Sequence, residues 1–506
     1  MMFRPTRMAA VVAALALSLT GCAAGGETST NESSQTLTLG TLMAPKSFAA
    51  ADSDFANVSP FYQAVYDTLI RMEPDGTLVP MLATEWKYND DKTVLTLKLR
   101  DDVKFTDGTV FNAEAAKQNL ERFKAGTSAD AQFLAALKNA TAVDATTLEL
   151  TLSAPDPAFL GYLSKDASFM QSPASFGNAD IATNPVGSGP YVLDTAATVT
   201  GTSYAYKTNP DYWNKDLVHY ENLVLNVYPE QTSLLSAVKS GTLNGSLIDI
   251  SMVQEAEAAG YKNNAFEGNW VGLMLFDRAG TTNPALKDVR VRQALNYAFD
   301  TKALLEAVNQ GRGTPTTQVF PPSSDAYDAS LDSRYAYDPS KAKSLLAEAG
   351  YANGFTLQMP STPLVNASIF TLITQQLKDI GVTVETVDAG NNFIADLLAA
   401  KYAASYMILE QQSDWQLINM KISPNAAWNP YKSADPKVDD LIRKINVGSE
   451  DEQKTAAKEL NKYIVEQAWF APWYRPQNSF VTDAKTNVKL QTGNVYPYLW
   501  SFTPAS

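Results

Sequence analysis

Trp86-Lys87-Tyr88-Asn89-Asp90-Asp91-Lys92-Thr93-Val94-Leu95-Thr96-Leu97-Lys98-Leu99 is the stretch on which the fold class turns. Leu95, Leu97 and Leu99 alternate with polar residues, the period of a strand with one buried face. Asn89-Asp90-Asp91-Lys92 has turn chemistry, so the segment predicts a β-hairpin lying on a core. Asp107-Gly108 adds a second tight turn, and Asn112 is placed to cap a helix with Ala116, Leu120 and Phe123 on one face. Further along, Asp338-Pro339 supplies the N-cap and first position of a helix striped by Ala342, Leu345, Leu346 and Ala349, with Gly350 past its end. Asp288 precedes another, bearing Val291, Ala294, Leu295 and Ala298. Strand-like runs at Leu223–Tyr228, Val271–Phe276, Thr356–Met359 and Val382–Val387 alternate with the helices. The pattern is α/β, with sheets sandwiched by helices. No repeat of about 20–50 residues is visible, which argues against a solenoid or propeller.

The 506 residues are 45% apolar and only 19% charged, enough to bury a core and too long for one small module; two to four domains or lobes are expected. Cys22 and His219 are the only cysteine and histidine. That excludes a zinc finger, a thiolate cluster, a Cys–His nucleophile and an internal disulfide. No G-x-S-x-G, H-E-x-x-H, G-x-x-x-x-G-K-[ST] or G-x-G-x-x-G motif occurs. Ser236-Ala237-Val238-Lys239 and Ser340-Lys341-Ala342-Lys343 fit S-x-x-K but lack the motif's companions and fall on predicted surface helices. Asp90-Asp91 and Asp101-Asp102 read as turn formers, and His219 as solvated. No catalytic residue and no cofactor is expected.

Arg4 and Arg7 precede an apolar run, Met8 to Leu19, that is too short to span a bilayer, followed by Leu19-Thr20-Gly21-Cys22. This is an export signal, and its end resembles the bacterial lipoprotein cleavage box, in which the cysteine is lipidated and becomes the first mature residue. Two or more acyl chains on Cys22 would give stable anchoring. Ala23 to Gln35 is small, polar and without apolar periodicity, as a tether should be. Losing Arg4 and Arg7 lowers the 40 basic residues by two, to 38, against 54 acidic ones. Nucleic acid and anionic lipid are poor partners for so acidic a chain.

Val65-Tyr66-Asp67-Thr68-Leu69-Ile70, Pro74 to Trp86 and Leu97 to Gly108 together resemble solute-binding protein family 5, the dipeptide, oligopeptide and nickel receptors of ABC importers. The match continues in order through Pro155-Asp156-Pro157-Ala158-Phe159-Leu160, Asn184-Pro185-Val186-Gly187-Ser188-Gly189-Pro190-Tyr191, Asn209-Pro210-Asp211-Tyr212-Trp213, Asp288 to Asp300 and Tyr337 to Tyr351. Each landmark alone is weak; their order and spacing are specific. Gly187, Gly189 and Pro190 read as a tight backbone crossing, Arg290 and Arg292 as partners of carboxylates, and the landmarks as fold-holding residues away from ligand.

The resemblance implies a two-lobed periplasmic-binding-protein (Venus flytrap) fold of the cluster C type. The expected order is signal peptide 1–21, tether 22–35, lobe I over 36–60, 181–272 and 475–506, an inserted subdomain over 61–180, and lobe II over 273–474. Crossings are expected near Trp270–Phe276 and Phe470–Tyr474. In peptide-binding relatives a carboxylate matching Asp414 pairs with the ligand ammonium; a turn-capping role is the alternative. Gln411 and Gln412 replace the usual Gly-Trp before it, which weighs against a peptide. Trp415 and Gln412 belong to the same loop. Trp428, Asn429 and Tyr431 either wall the cleft or pack against the core. Ser251 and Met252 match a ligand-contacting region of lobe I, and Phe276, Trp473 and Tyr474 are expected to face the cleft.

The function so implied is a lipid-anchored, monomeric receptor that closes on a small peptide or similar polar solute and delivers it to membrane permease subunits. Nickel chelates, opines and oligosaccharides are alternatives within the fold, and a secreted lipoprotein hydrolase is the alternative outside it.

Overall fold

The computed structural model describes residues 36–362, 367–491 and 494–505. The export signal, Cys22 and the tether lie outside the described residues. The hairpin forms as expected: strands Ala83–Tyr88 and Val94–Leu99 pair antiparallel, and Lys92 takes a positive φ of 54° at the turn. They join Thr147–Leu152 and Leu137–Asp144 in a four-stranded antiparallel sheet. Helix Ala113–Ala125 packs on this sheet, capped by Asn112, whose Oδ1 accepts from Ala115 N at 2.9 Å. Helices Val289–Tyr297 and Pro339–Glu348 likewise begin at Asp288 and Asp338, whose carboxylates accept from Arg290 N and Lys341 N. Gly350, at φ 90°, ends the latter.

The main sheet has ten strands. Its path runs Ala404–Glu410, Asn269–Leu275, Phe470–Thr482, Gly245–Ile248, Thr36–Thr41, Asn222–Val227, Ser203–Thr208, Tyr191–Leu193, with Lys262–Glu267 and Gly313–Pro315 also on Phe470–Thr482. That 13-residue strand serves both halves. Its start pairs with Asn269–Leu275, and its end pairs with Lys262–Glu267 and Gly245–Ile248. The consecutive strands Lys262–Glu267 and Asn269–Leu275, separated by Gly268, thus pair with successive parts of Phe470–Thr482. Arg475, only 2% exposed, pins this junction: it reaches Glu267 at 3.1 Å and Asp332 at 3.0 Å.

Each half has its own core. Leu37, Leu39, Phe61, Tyr62, Tyr206, Phe480 and Tyr498 fill one; Leu273, Leu295, Phe299, Leu357, Ile373 and Trp473 fill the other. A third cluster joins the four-stranded sheet, through Leu95, Leu97 and Phe123, to Trp270, Trp415 and Leu460 of the second half. The landmark glycines act by backbone proximity. A Cβ on Gly187 would lie 1.9 Å from Val65 O, and one on Gly189 would lie 2.5 Å from Val65 C. Only glycine fits that crossing. Arg290 pairs with Asp288 at 2.6 Å. Arg292 corrects its expectation: its guanidinium donates to the carbonyls of Leu286, Lys287 and Gln467, which helix and loop ends leave unpaired, while the nearby Asp288 is taken up in the ion pair with Arg290.

Candidate binding cleft

A cleft of about 760 Å³ opens between the four-stranded-sheet region and the second half of the molecule. One wall is the turn Asp75–Leu78 together with Pro157, Ala158, Tyr162 and Lys165. The facing wall is the loop 410–416, the segment Pro321–Asp325 and the start of helix Glu450–Glu466.

The loop is built from the edge strand Ala404–Glu410, whose last residues alternate, Leu409 buried and Ile408 and Glu410 open. On leaving the sheet it is tied to the first crossing: Gln411 N donates to Gly268 O at 2.8 Å, and Gln411 Nε2 donates to Asn269 O at 3.1 Å. Asp414 then opens the short helix Asp414–Leu417. Its Oδ2 accepts from Ala326 N at 3.2 Å, while Oδ1 is buried and accepts from no donor among the described residues. Burial pushes the Asp414 carboxyl up to about 6, with hydrogen bonds from Ser324 and Ala326 opposing and Asp325 reinforcing the shift.

Glu410 opens on the cleft, but the protein atoms crowding its carboxyl desolvate it and raise it too, against the pull of Lys165 and Lys421. Lys421, buried behind the loop, donates to Gln412 Oε1; burial pushes its ammonium down to about 8, opposed by Glu410. Across the cleft, Asp156 is pushed up to about 6 by burial, opposed by the Ala158 N–H and the Trp415 side chain. Tyr162 stacks on Phe133 at 4.6 Å, and the Lys165 ammonium lies 5.9 Å from the same Phe133 ring.

Of the residues singled out from sequence, Gln412, Asp414 and Trp415 share this cleft. The others lie elsewhere. Phe276, Trp473 and Tyr474 are at most 1% exposed; Trp473 and Tyr474 sit on the central strand Phe470–Thr482 and Phe276 directly follows the strand Asn269–Leu275, and Trp473 packs against Tyr406 and Phe299. Asn429 is a buried scaffold residue, accepting from Arg278 Nη2 at 2.8 Å and donating to Ser423 O and Ser433 O. Tyr431 donates its hydroxyl to Ala400 O, and Trp428 packs against the core. Ser251 is exposed and bonds to Asp249, which caps that turn, and Met252 covers the cluster around Leu234 and Val253. The expectation that the landmarks stand away from ligand needs correcting, because Asp75–Leu78 and Pro157–Ala158 line the cleft. Lys165 and Asp325 carried no local signal, since only the fold brings them to one cavity. Among the described residues, no group of three or more His, Cys, Asp or Glu side chains is arranged to hold a metal, and no helix is long and apolar enough to cross a membrane.

A two-lobed α/β molecule whose cleft is walled by both parts is the architecture of a solute receptor. The family description "bacterial extracellular solute-binding proteins, family 5 Middle" matches residues 77–441, and the chain belongs to that family. It is 29% identical over 467 residues to the glutathione-binding protein GsiB of Shigella dysenteriae serotype 1, covering 85% of this chain and 90% of the relative. HbpA2 from Haemophilus parasuis superposes with a TM-score of 0.83 at 24% identity, over 93% of this chain and 100% of the other. The periplasmic binding protein DppA from Helicobacter pylori, in complex with the peptide STSA, superposes at 0.74 with 20% identity, over 94% and 100%. The fold is thus the two-lobed periplasmic-binding-protein fold, and the chain is a solute-binding protein.

Proposed function

We propose that this protein is the ligand-capturing receptor of an ABC importer for short peptides, with Asp414 as the anchor for the ligand's α-ammonium. The observation that carries the reading is the buried, undonated Oδ1 of Asp414 on the wall of a cleft of about 760 Å³. A carboxylate oxygen buried without a donor is costly, and an incoming ammonium supplies the missing partner. The cleft volume lies in the range of small-molecule sites, about 300–1,000 Å³. The likeness to glutathione-binding proteins supports a ligand of tripeptide size.

In this reading, lobe I comprises 36–60, 181–272 and 475–506, residues 61–180 form its inserted subdomain, and 273–474 form lobe II. The lobes close by bending the paired strands at Gly268 and Arg475–Pro476. Ligand drives closure only through its extra contacts in the closed state. The loop bearing Asp414 is bonded to the first crossing through Gln411, which couples ligand capture to the hinge. The protein captures its ligand without turnover, works as a monomer, and is held at the outer face of a membrane by lipidated Cys22.

The test is thermal unfolding of the purified protein with a panel of di- and tripeptides, glutathione included, and mass spectrometry of the recovered peptides. A peptide-dependent rise in Tm with every peptide recovered intact is the expected result. Hydrolysis of the stabilising peptide, or no stabilisation by any, would overturn the reading.

A further inference from the structure

The carboxylates lining the cleft outnumber what one ammonium can balance. Asp75, Asp325, Glu410, Asp414 and Glu450 line it, against Lys165 and Lys454. Lys454 is paired with Glu450 at 2.7 Å and Lys165 also acts on the buried Asp166, so the lining keeps more acidic than basic groups. Lys421 adds positive charge from behind the loop, but its ammonium is held by Gln412. Asp75 and Asp325 lie at the turns. Glu410 stands on the same loop as Asp414, open to the cleft, and its carboxylate accepts no hydrogen bond from any described residue. The orphaned Oδ1 of Asp414, four residues further along the loop, is a second acceptor without a donor among the described residues.

We infer that Glu410 is a second cation-recognising group, so that the receptor prefers peptides carrying a lysine or arginine side chain close to a free amino terminus. The inference rests on the peptide reading above and names the substrate class within it. A neutral-side-chain peptide satisfies Asp414 alone and brings a carboxylate into an already negative cleft. A basic peptide offers each acceptor a charged donor, and charge-assisted bonds of this kind are the strong ones. The surplus negative potential also attracts cationic ligands in preference to anionic ones.

The experiment is calorimetric titration of the protein with Lys-Ala-Ala and Ala-Lys-Ala, each compared with the same tripeptide carrying norleucine, which keeps the stem and removes the charge. The wild type should bind at least one lysine peptide about tenfold or more tighter than its norleucine partner. Glu410→Gln should abolish that ratio while leaving the melting temperature close to wild type. Equal affinities in the wild type, or a lysine preference that survives Glu410→Gln, would overturn the inference. If the norleucine peptides bind in an Asp414-dependent way without any lysine preference, this inference fails and the peptide reading stands. Binding of none of the four peptides overturns both.

Discussion

Asp67 accepts the indole N–H of Trp213 at 3.0 Å across a separation of 146 residues. The same carboxylate accepts the Ser188 hydroxyl at 2.9 Å and the Tyr212 hydroxyl at 2.9 Å. Two landmark segments thus converge on a buried carboxylate supplied by a third, next to the backbone crossing that Gly187 and Gly189 make possible. This is why those segments mark the fold: each donor exists to satisfy an acceptor supplied by another.

Removing that acceptor leaves three buried donors unpaired. At about 1–3 kcal/mol for each unsatisfied group, Asp67→Ala should lower unfolding free energy by at least about 3 kcal/mol in denaturant titration. The pH dependence has a defined sign. Burial raises the folded-state carboxyl to about 6, above its unfolded value, with the three hydrogen bonds opposing. The folded state therefore binds the proton more tightly, and Asp67's contribution to stability falls as pH rises from about 4 to 6, then levels. Asp67→Asn, which cannot titrate, should lack that decline when its stability is compared with wild type at each pH.

Arg475 makes a forked contact with Asp332, Nη1 to Oδ1 at 3.1 Å and Nη2 to Oδ2 at 3.0 Å, while its Nε reaches Glu267. Arg475→Ala would leave the Glu267 and Asp332 carboxylates without their guanidinium partner. Loss of one partner from a buried pair costs about 3–5 kcal/mol, so chemical denaturation should show a drop of that order. Glu267→Gln should cost less, since the Glu267 side chain keeps 25% exposure.

Binding of an ammonium ligand should itself depend on pH. The Asp414 carboxyl, pushed up to about 6 by burial, must be ionised to pair with it. Affinity should then fall about tenfold per pH unit below about 6, level near pH 7, and fall again above about 8 as the ligand's α-ammonium loses its proton. Titration calorimetry at several pH values checks this, and the Asp414-dependent part of the slope should vanish in Asp414→Asn.

Cys22 is expected to carry the lipid anchor. In a bacterial host expressing the full chain, Cys22→Ser should move the protein from the membrane fraction to the soluble extracytoplasmic fraction without changing its melting temperature. Retention of the variant on membranes would contradict anchoring through this residue.

What could be read in the sequence was whatever is written locally. The alternation of Leu95, Leu97 and Leu99 announces a half-buried strand, and Asn112, Asp288 and Asp338 announce helix starts, because both signals act within a few residues. Asp414 and Trp415 were reachable through the order of landmarks around them. Phe276, Trp473 and Tyr474 were misplaced for a physical reason: aromatics in an unbroken apolar run belong to strands buried on both faces, and such strands cannot also wall a cleft. Glu410 opens the loop in which the pocket was sought but was given no role there, and Lys165 gave no sign, since it becomes a cleft residue only when a distant segment folds opposite that loop.

The most direct test is titration calorimetry of the wild type with a tripeptide it binds and with the same peptide acetylated at its amino terminus. If Asp414 holds the α-ammonium, acetylation should weaken binding about 100-fold or more, and Asp414→Asn should weaken the free-amine peptide to a similar degree. Equal affinity for the free and acetylated peptides would contradict the account.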